Sequence, residues 1–168
     1  MFINEGVSLT GIKIFGFDEN GQAVNTIIDI SDRKSFKSET LQKIEYMMCE
    51  FGYGAAVMQS QLSSNVNIGA LSSVVGTNIA RSVKIGTGAT VKGTQTQQRP
   101  DWYRQSEYLG QEAEAEAWET IYSVAIAQNV AIGNNVYIEG TVSIGKKVSI
   151  GDGAIIIGNI KIEDNMEN

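Results

Sequence analysis

The sequence predicts a mainly β chain in which short strands and turns alternate until they stack into a short solenoid. Three observations carry this. Ile126, Ile132, Ile138, Ile144, Ile150, Ile156 and Ile162 stand six apart, and the residue two before each is Val124, Val130, Val136, Val142, Val148, Ala154 or Ile160. A six-residue step keeps every isoleucine on one face of an extended chain, whereas a helix turning about 100° per residue would scatter them. Between the rungs lie pairs that tolerate positive φ, namely Asn134-Asn135, Glu139-Gly140, Asp152-Gly153, Gly158-Asn159 and Asp164-Asn165, with Lys146-Lys147 the exception. Finally, 18 glycines stand against a single proline, as suits many tight turns and backbone N–H groups that are nearly all needed in ladders.

From Val124 to Asn165 the aliphatic ladder and its corner residues resemble the hexapeptide repeat of left-handed parallel β-helix proteins, in which three hexads make one triangular coil. The resemblance implies a fold and no particular function. A weaker copy begins at Val66, with Ile68, Val74, Ile79, Ile85 and Val91 as its inward ladder. The step from Val74 to Ile79 is one residue short, so a local kink or bulge is expected there. Five hexads here and seven later predict four coils, a prism about 19 Å tall at a strand spacing of about 4.8 Å.

Ahead of the repeat, "GVSLTGIKIFGFDENGQAVNTIIDI" alternates apolar and polar residues on both sides of Asn20-Gly21, which predicts a β-hairpin from about Val7 to Ile30. In "SETLQKIEYMMCEFG", Leu41, Ile44, Met48 and Phe51 share one helical face, with Ser38 as N-cap and Gly52 past the end. The two repeat runs are separated by Gln95 to Ser123, which has no hexad register. Its alanines and glutamates favour helix, and Tyr108, Ala115, Trp118 and Tyr122 fall on one face. The expected organisation is therefore an N-terminal hairpin and helix (1–60), a first β-helix segment (61–94), an inserted helical arm (95–123) and a second β-helix segment (124–168).

A net charge of −6 and a pI near 4.7 argue against nucleic acid as a partner. One cysteine, Cys49, rules out an internal disulfide framework and a cysteine metal cluster, and reads as a small buried apolar residue. No apolar run approaches the ~20 residues of a membrane helix, and "MFINEGVSLTG" lacks the pattern of a signal peptide. The expectation is a soluble protein made in the cytoplasm, without a membrane partner.

Hexapeptide-repeat proteins are best known as acyltransferases, and similar prisms serve as zinc-dependent carbonic anhydrases. Both chemistries usually use imidazole, as proton acceptor or as zinc ligand, and this chain has no histidine. Glu139, Asp152 and Glu163, the carboxylates that could stand in, read as exposed corner residues, and Lys146-Lys147 as a solvated corner. The expectation is thus no enzyme, no cofactor, no metal and no catalytic residue. The aromatic residues of the arm, Trp102, Tyr103, Tyr108, Trp118 and Tyr122, are the candidate interface. The function expected is a structural, self-associating assembly protein, a homotrimer that also docks another assembly protein, such as a virion component of tail, baseplate or capsid decoration. Two alternatives stand beside it: a hexapeptide-repeat acyltransferase lacking the usual histidine, and a bactofilin-like polymer-forming scaffold.

Overall fold

The computed structural model describes residues 2–17, 23–30, 48–98 and 119–166. They form a parallel β-helix of six coils, each presenting strands to three faces. Coil one consists of β1 (Phe2–Ile3) and the long β2 (Ser8–Phe17), which bends across two faces; β3 (Ala23–Ile30) returns antiparallel along β2. Coil two holds β4 (Glu50–Phe51), β5 (Ala56–Met58) and β6 (Gln61–Leu62), and coil three β7 (Val66–Ile68), β8 (Ser73–Val75) and β9 (Thr77–Ile79). Coil four runs through β10 (Val83–Ile85) and β11 (Thr90–Lys92), leaves the prism as the ribbon β12 (Gln95–Gln98) and β13 (Glu119–Tyr122), and resumes with β14 (Val124–Ile126). Coil five holds β15 (Ala131–Ile132) and β16 (Tyr137–Ile144), and coil six β17 (Ser149–Ile150) and β18 (Ile155–Ile162).

The predicted ladder is the core. Ile79, Ile126, Ile144 and Ile162 stack as register partners on one face, Val91, Ile138 and Ile156 on another, and Ile85, Ile132 and Ile150 on the third. From Ile126 to Ile150 every ladder isoleucine is at most 2% exposed, and burying each contributes about 1.5–3 kcal/mol. At the final coil the core opens: Ile156 reaches 7%, and Ile160 and Ile162 are only partly buried.

The stack is taller than the sequence predicts, with six coils in place of four. The hexad template misses coils one and two, whose inward residues are Ile3, Leu9 and Ile14, then Phe51, Val57 and Leu62. Parallel stacking thus begins at Phe2, well ahead of residue 61. The reason lies in coil length. Ile68 pairs with Ile85, seventeen residues on, whereas Ile132 pairs with Ile150, eighteen on. The step expected to be a local kink at Val74–Ile79 recurs at Val57–Leu62 and Leu9–Ile14, so it is a systematic short corner. Gly11, Gln59 and Gly76 take positive φ there, and Ile12, Ser60 and Thr77 turn inward after them. The buried hydroxyls are satisfied locally: Ser60 Oγ donates to Met58 O at 2.8 Å and accepts from Thr77 N at 3.1 Å.

Other corners use a side-chain clamp. Asp152 Oδ1 accepts from Asn134 N at 2.7 Å, and Asp164 Oδ1 accepts from Lys146 N at 2.8 Å, each reaching back one coil. The clamp explains the glycine that follows the ladder isoleucine, because a Cβ on Gly133 would collide with Asp152 Oδ1 and one on Gly145 with Asp164 Oδ1. Lys146-Lys147, the odd pair by composition, is an ordinary corner with Lys147 at φ 57.

The hairpin is present as β2 and β3, with β2 also serving as part of coil one. For the helix expected through Phe51, residues 38–47 lie outside the described residues; at its end, Met48 has φ 53 and Phe51 is a buried strand residue. The arm departs from expectation at both described ends, where β12 and β13 pair antiparallel, so Tyr122 belongs to a strand and not to a helix. A polar ribbon end such as Gln95-Thr96-Gln97 satisfies its backbone across two strands without needing a buried helical stripe.

The ladder predicts a sharp contrast at Ile144, which is 1% exposed. Ile144→Asp places an unpaired carboxylate in a dry core and should cost several kcal/mol, while Ile144→Val should cost about 0.5–1.5 kcal/mol. Thermal melting followed by circular dichroism checks this; equal shifts for the two variants would contradict an inward Ile144.

Candidate functional site

The insert leaves and re-enters the prism at one corner of coil four, after Thr94 and before Val124. Its root is fastened by three short bonds. Thr94 N donates to Ser123 Oγ at 2.7 Å, Ser123 N donates to Thr94 O at 2.9 Å, and Val142 N of the next coil donates to Ser123 O at 3.0 Å. The ribbon then continues outward from the Gln95–Tyr122 pair to the Gln98–Glu119 pair. The Tyr122 hydroxyl accepts from Gln95 Nε2 at 3.5 Å. Burial pushes the Tyr122 phenol above its ordinary pKa, with the Gln95 bond opposing that in part, so it stays protonated through neutral pH.

Beside this root lies a cleft of about 500 Å³, bounded by Val75, Lys92, Gly93, Thr94, Ser123, Glu139, Gly140 and Thr141. Lys92 on β11 and Glu139 on β16 are register partners in adjacent coils. Both alternate with the inward Val91 and Ile138, so strand geometry turns them outward. Tyr137 shares that outer face, two residues before Glu139, and its hydroxyl donates to Glu139 Oε2 at 3.0 Å. Gly140, with φ 116, lies so close to coil six that a Cβ would come within 2.5 Å of Gly158 O. One wall of the cleft is therefore bare backbone.

This arrangement has definite chemical capacities. A half-buried carboxylate oriented by a phenol can accept a proton from a hydroxyl or an amine. An ammonium one strand away can hold an anionic group or offset developing negative charge. No group of three or more histidine, cysteine, aspartate or glutamate side chains suited to a metal ion occurs among the described residues.

Of the carboxylates weighed from sequence, Asp152 is a structural clamp. Glu163 is an exposed partner of Lys161 at 3.8 Å. Glu139 is the one that the fold places in a cleft, on β16 directly before its corner at Gly140. Of the aromatic candidates, Tyr122 stands at the root of the ribbon, while Trp102, Tyr103, Tyr108 and Trp118 lie outside the described residues. Tyr137, Lys92 and Ser123 were missed. Their only sequence signal is a shared inward/outward parity with Glu139, and the insert hides the offset that makes Lys92 and Glu139 neighbours. Cys49 is buried as expected; its Sγ donates to Ser63 O at 3.3 Å, and desolvation pushes its thiol pKa up. Among the described residues no helix is long and apolar enough to cross a membrane.

No protein family and no curated protein matches the chain. Among solved structures, it resembles the crystal structure of AntD, an N-acyltransferase from Bacillus cereus, in complex with dTDP and 3-hydroxybutyryl-CoA. The identity is 13%, the coverage 77% of this chain and 81% of that one, and the TM-score 0.46. A point mutant of the same enzyme in complex with dTDP and coenzyme A matches at 13% identity over 77% and 82%, again with a TM-score of 0.46. The expectation of no enzyme is withdrawn: the solved structures that the chain resembles in fold are those of an N-acyltransferase. The physical weakness of the expectation was its reliance on imidazole: a carboxylate set in a cleft by a phenol is also a proton acceptor. These likenesses give no support to a virion role.

The root geometry yields a stability prediction. Ser123→Ala removes the acceptor for Thr94 N and should cost about 0.5–1.5 kcal/mol. Because the lost bond closes the root, protease cleavage within 95–122 should accelerate while the β signal in circular dichroism persists. Unchanged cleavage would show that the ribbon pairs alone hold the root.

Proposed function

We propose that this protein is an acyltransferase that works without histidine, moving an acyl group from a thioester donor to an amine or hydroxyl acceptor. The observation that carries the reading is the Glu139 carboxylate, oriented by the Tyr137 hydroxyl at 3.0 Å, on the wall of a cleft that also presents Lys92. In this reaction the acceptor nitrogen or oxygen attacks the thioester carbonyl while Glu139 takes its proton. The new C–N or C–O bond forms, the C–S bond breaks, and the proton passes to the departing thiolate. Tyr137 is a positioning residue that fixes the carboxylate. Lys92 binds an anionic group of the donor or acceptor, a role suited to a compact point charge.

Homotrimeric self-association belongs to the same proposal. The outer face that bears Glu139 also bears Met58, 42% exposed, and Ile157, 57% exposed. Copies packed against that face would bury these side chains and narrow the cleft. Sedimentation of the full chain should give a mass that is a multiple of three chains; a lone monomer at micromolar concentration would contradict it.

For the chemistry, the assay is thiol release from acyl-coenzyme A donors offered a panel of small amines and alcohols. Glu139→Gln should lower kcat by about a hundredfold or more, within the range for a general base, with little effect on folding. Tyr137→Phe should lower it less. Absence of transfer by the native protein with every donor and acceptor, together with no binding of coenzyme A, would overturn the reading.

A further inference from the structure

Lys92 and Glu139 stand opposite each other in register on neighbouring strands, β11 and β16, yet they form no ion pair with each other. The carboxylate is held elsewhere: Oε2 accepts from the Tyr137 hydroxyl at 3.0 Å, and Oε1 has no partner among the described residues. The Lys92 ammonium, on an exposed side chain, likewise has none among them. Their other neighbours in the same outward column compensate neither charge, because Val75 lies one coil before Lys92 and Ile157 one coil after Glu139. The wall of the cleft therefore carries one cation and one carboxylate, about 4.8 Å apart at their backbones, with the hydroxyl residues Thr94, Ser123 and Thr141 around them. Two opposite charges side by side, each with bonding capacity left over, match a ligand that carries the reverse pair at a similar spacing.

We infer that the acceptor in the proposed reaction is a small amino acid, with Glu139 receiving its amino group and Lys92 its carboxylate. This rests on the acyl-transfer reading and goes further by assigning the anion to the acceptor. The atom whose proton Glu139 takes belongs to the acceptor, and Lys92 is one strand away from that point. In an acyl-coenzyme A the nearest permanent negative charge is the pyrophosphate, at the far end of the pantetheine arm and many bonds from the thioester. It does not reach Lys92 while the reacting carbonyl stands beside Glu139. A carboxylate one or two carbons from the amine does. Held in this way, the amine in its neutral form attacks the thioester carbonyl and gives a proton to Glu139. The C–N bond forms, the C–S bond breaks, the thiolate takes the proton, and the product is an N-acyl amino acid with its carboxylate still on Lys92. Lys92 is thus a specificity-determining residue, and an acceptor without the acid group leaves its ammonium unanswered.

The test compares amino acids with their own primary amides, glycine with glycinamide and β-alanine with β-alaninamide, as acceptors for the same acyl-coenzyme A donors. Rates are expressed per neutral amine, since acid and amide differ in amine pKa. The acid should exceed its amide by about tenfold or more in kcat/KM, mostly through KM, which is the scale of one hydrogen bond to a charged group. Lys92→Met should abolish that preference, Lys92→Glu should reverse it, and Lys92→Arg should preserve it. Circular dichroism confirms that each variant is folded. An amide that serves the native protein as well as the acid would overturn this inference and leave the acyl-transfer reading standing, as would an acid preference that survives Lys92→Met. Equal use of acid and amide together with a preference for succinyl- over acetyl-coenzyme A would also overturn it, because the anion on Lys92 would then belong to the acyl group. No transfer from any donor to any acceptor would overturn both.

Discussion

The parallel backbone ladder between successive coils is the constraint on which the rest of the structure depends. Strands about 4.8 Å apart leave no space for a side chain at the tightest corners. Glycine is therefore required at Gly133 and Gly145, and the space it frees is filled by Asp152 and Asp164 reaching back to backbone N–H groups. One interaction thus accounts for two features of these corners, the glycine after Ile132 and Ile144 and the aspartate two residues after the ladder isoleucine one coil on. The isoleucine ladder supplies burial, while the corner clamps hold the coils in register.

A corner can also gain or lose a residue without losing that register. Coils two and three close in seventeen residues because a positive-φ residue shortens one corner and a buried hydroxyl satisfies its backbone there. At coil four the same corner accepts an insert, since Thr94 and Ser123 bond to each other and present an almost unbroken edge to coil five. Inserting chain at a corner leaves all three ladders intact. The insert root and the outward side chains of coils four and five are thereby brought together, and the cleft lined by Glu139 and Lys92 lies beside that root.

The absence of histidine narrows the chemistry without removing it. A carboxylate is a weaker base than imidazole at neutral pH, so on the proposed reading its usefulness depends on how it is held. The phenol of Tyr137 orients it at the wall of the cleft. On the proposed reading, composition selects which proton acceptor is used, and the prism supplies its placement.

By itself, the sequence determined that the chain from Val124 to Asn165 is extended, that its isoleucines point inward, and that hairpin strands precede it, because these follow from side-chain period and turn chemistry alone. It did not reveal coils one and two. Phe51, Val57 and Leu62 step by six and then five, and an odd step reads as a broken repeat unless a corner absorbs it, which only backbone dihedrals at Gln59 show. The insert looked helical from its alanines and glutamates, yet at its described ends tertiary pairing of Gln95 with Tyr122 overrides propensity. Glu139 could be named from sequence as a carboxylate. Its union with Lys92 could not, because they meet across a chain separation set by the length of an insert, and only the stacking of coil five on coil four makes them neighbours.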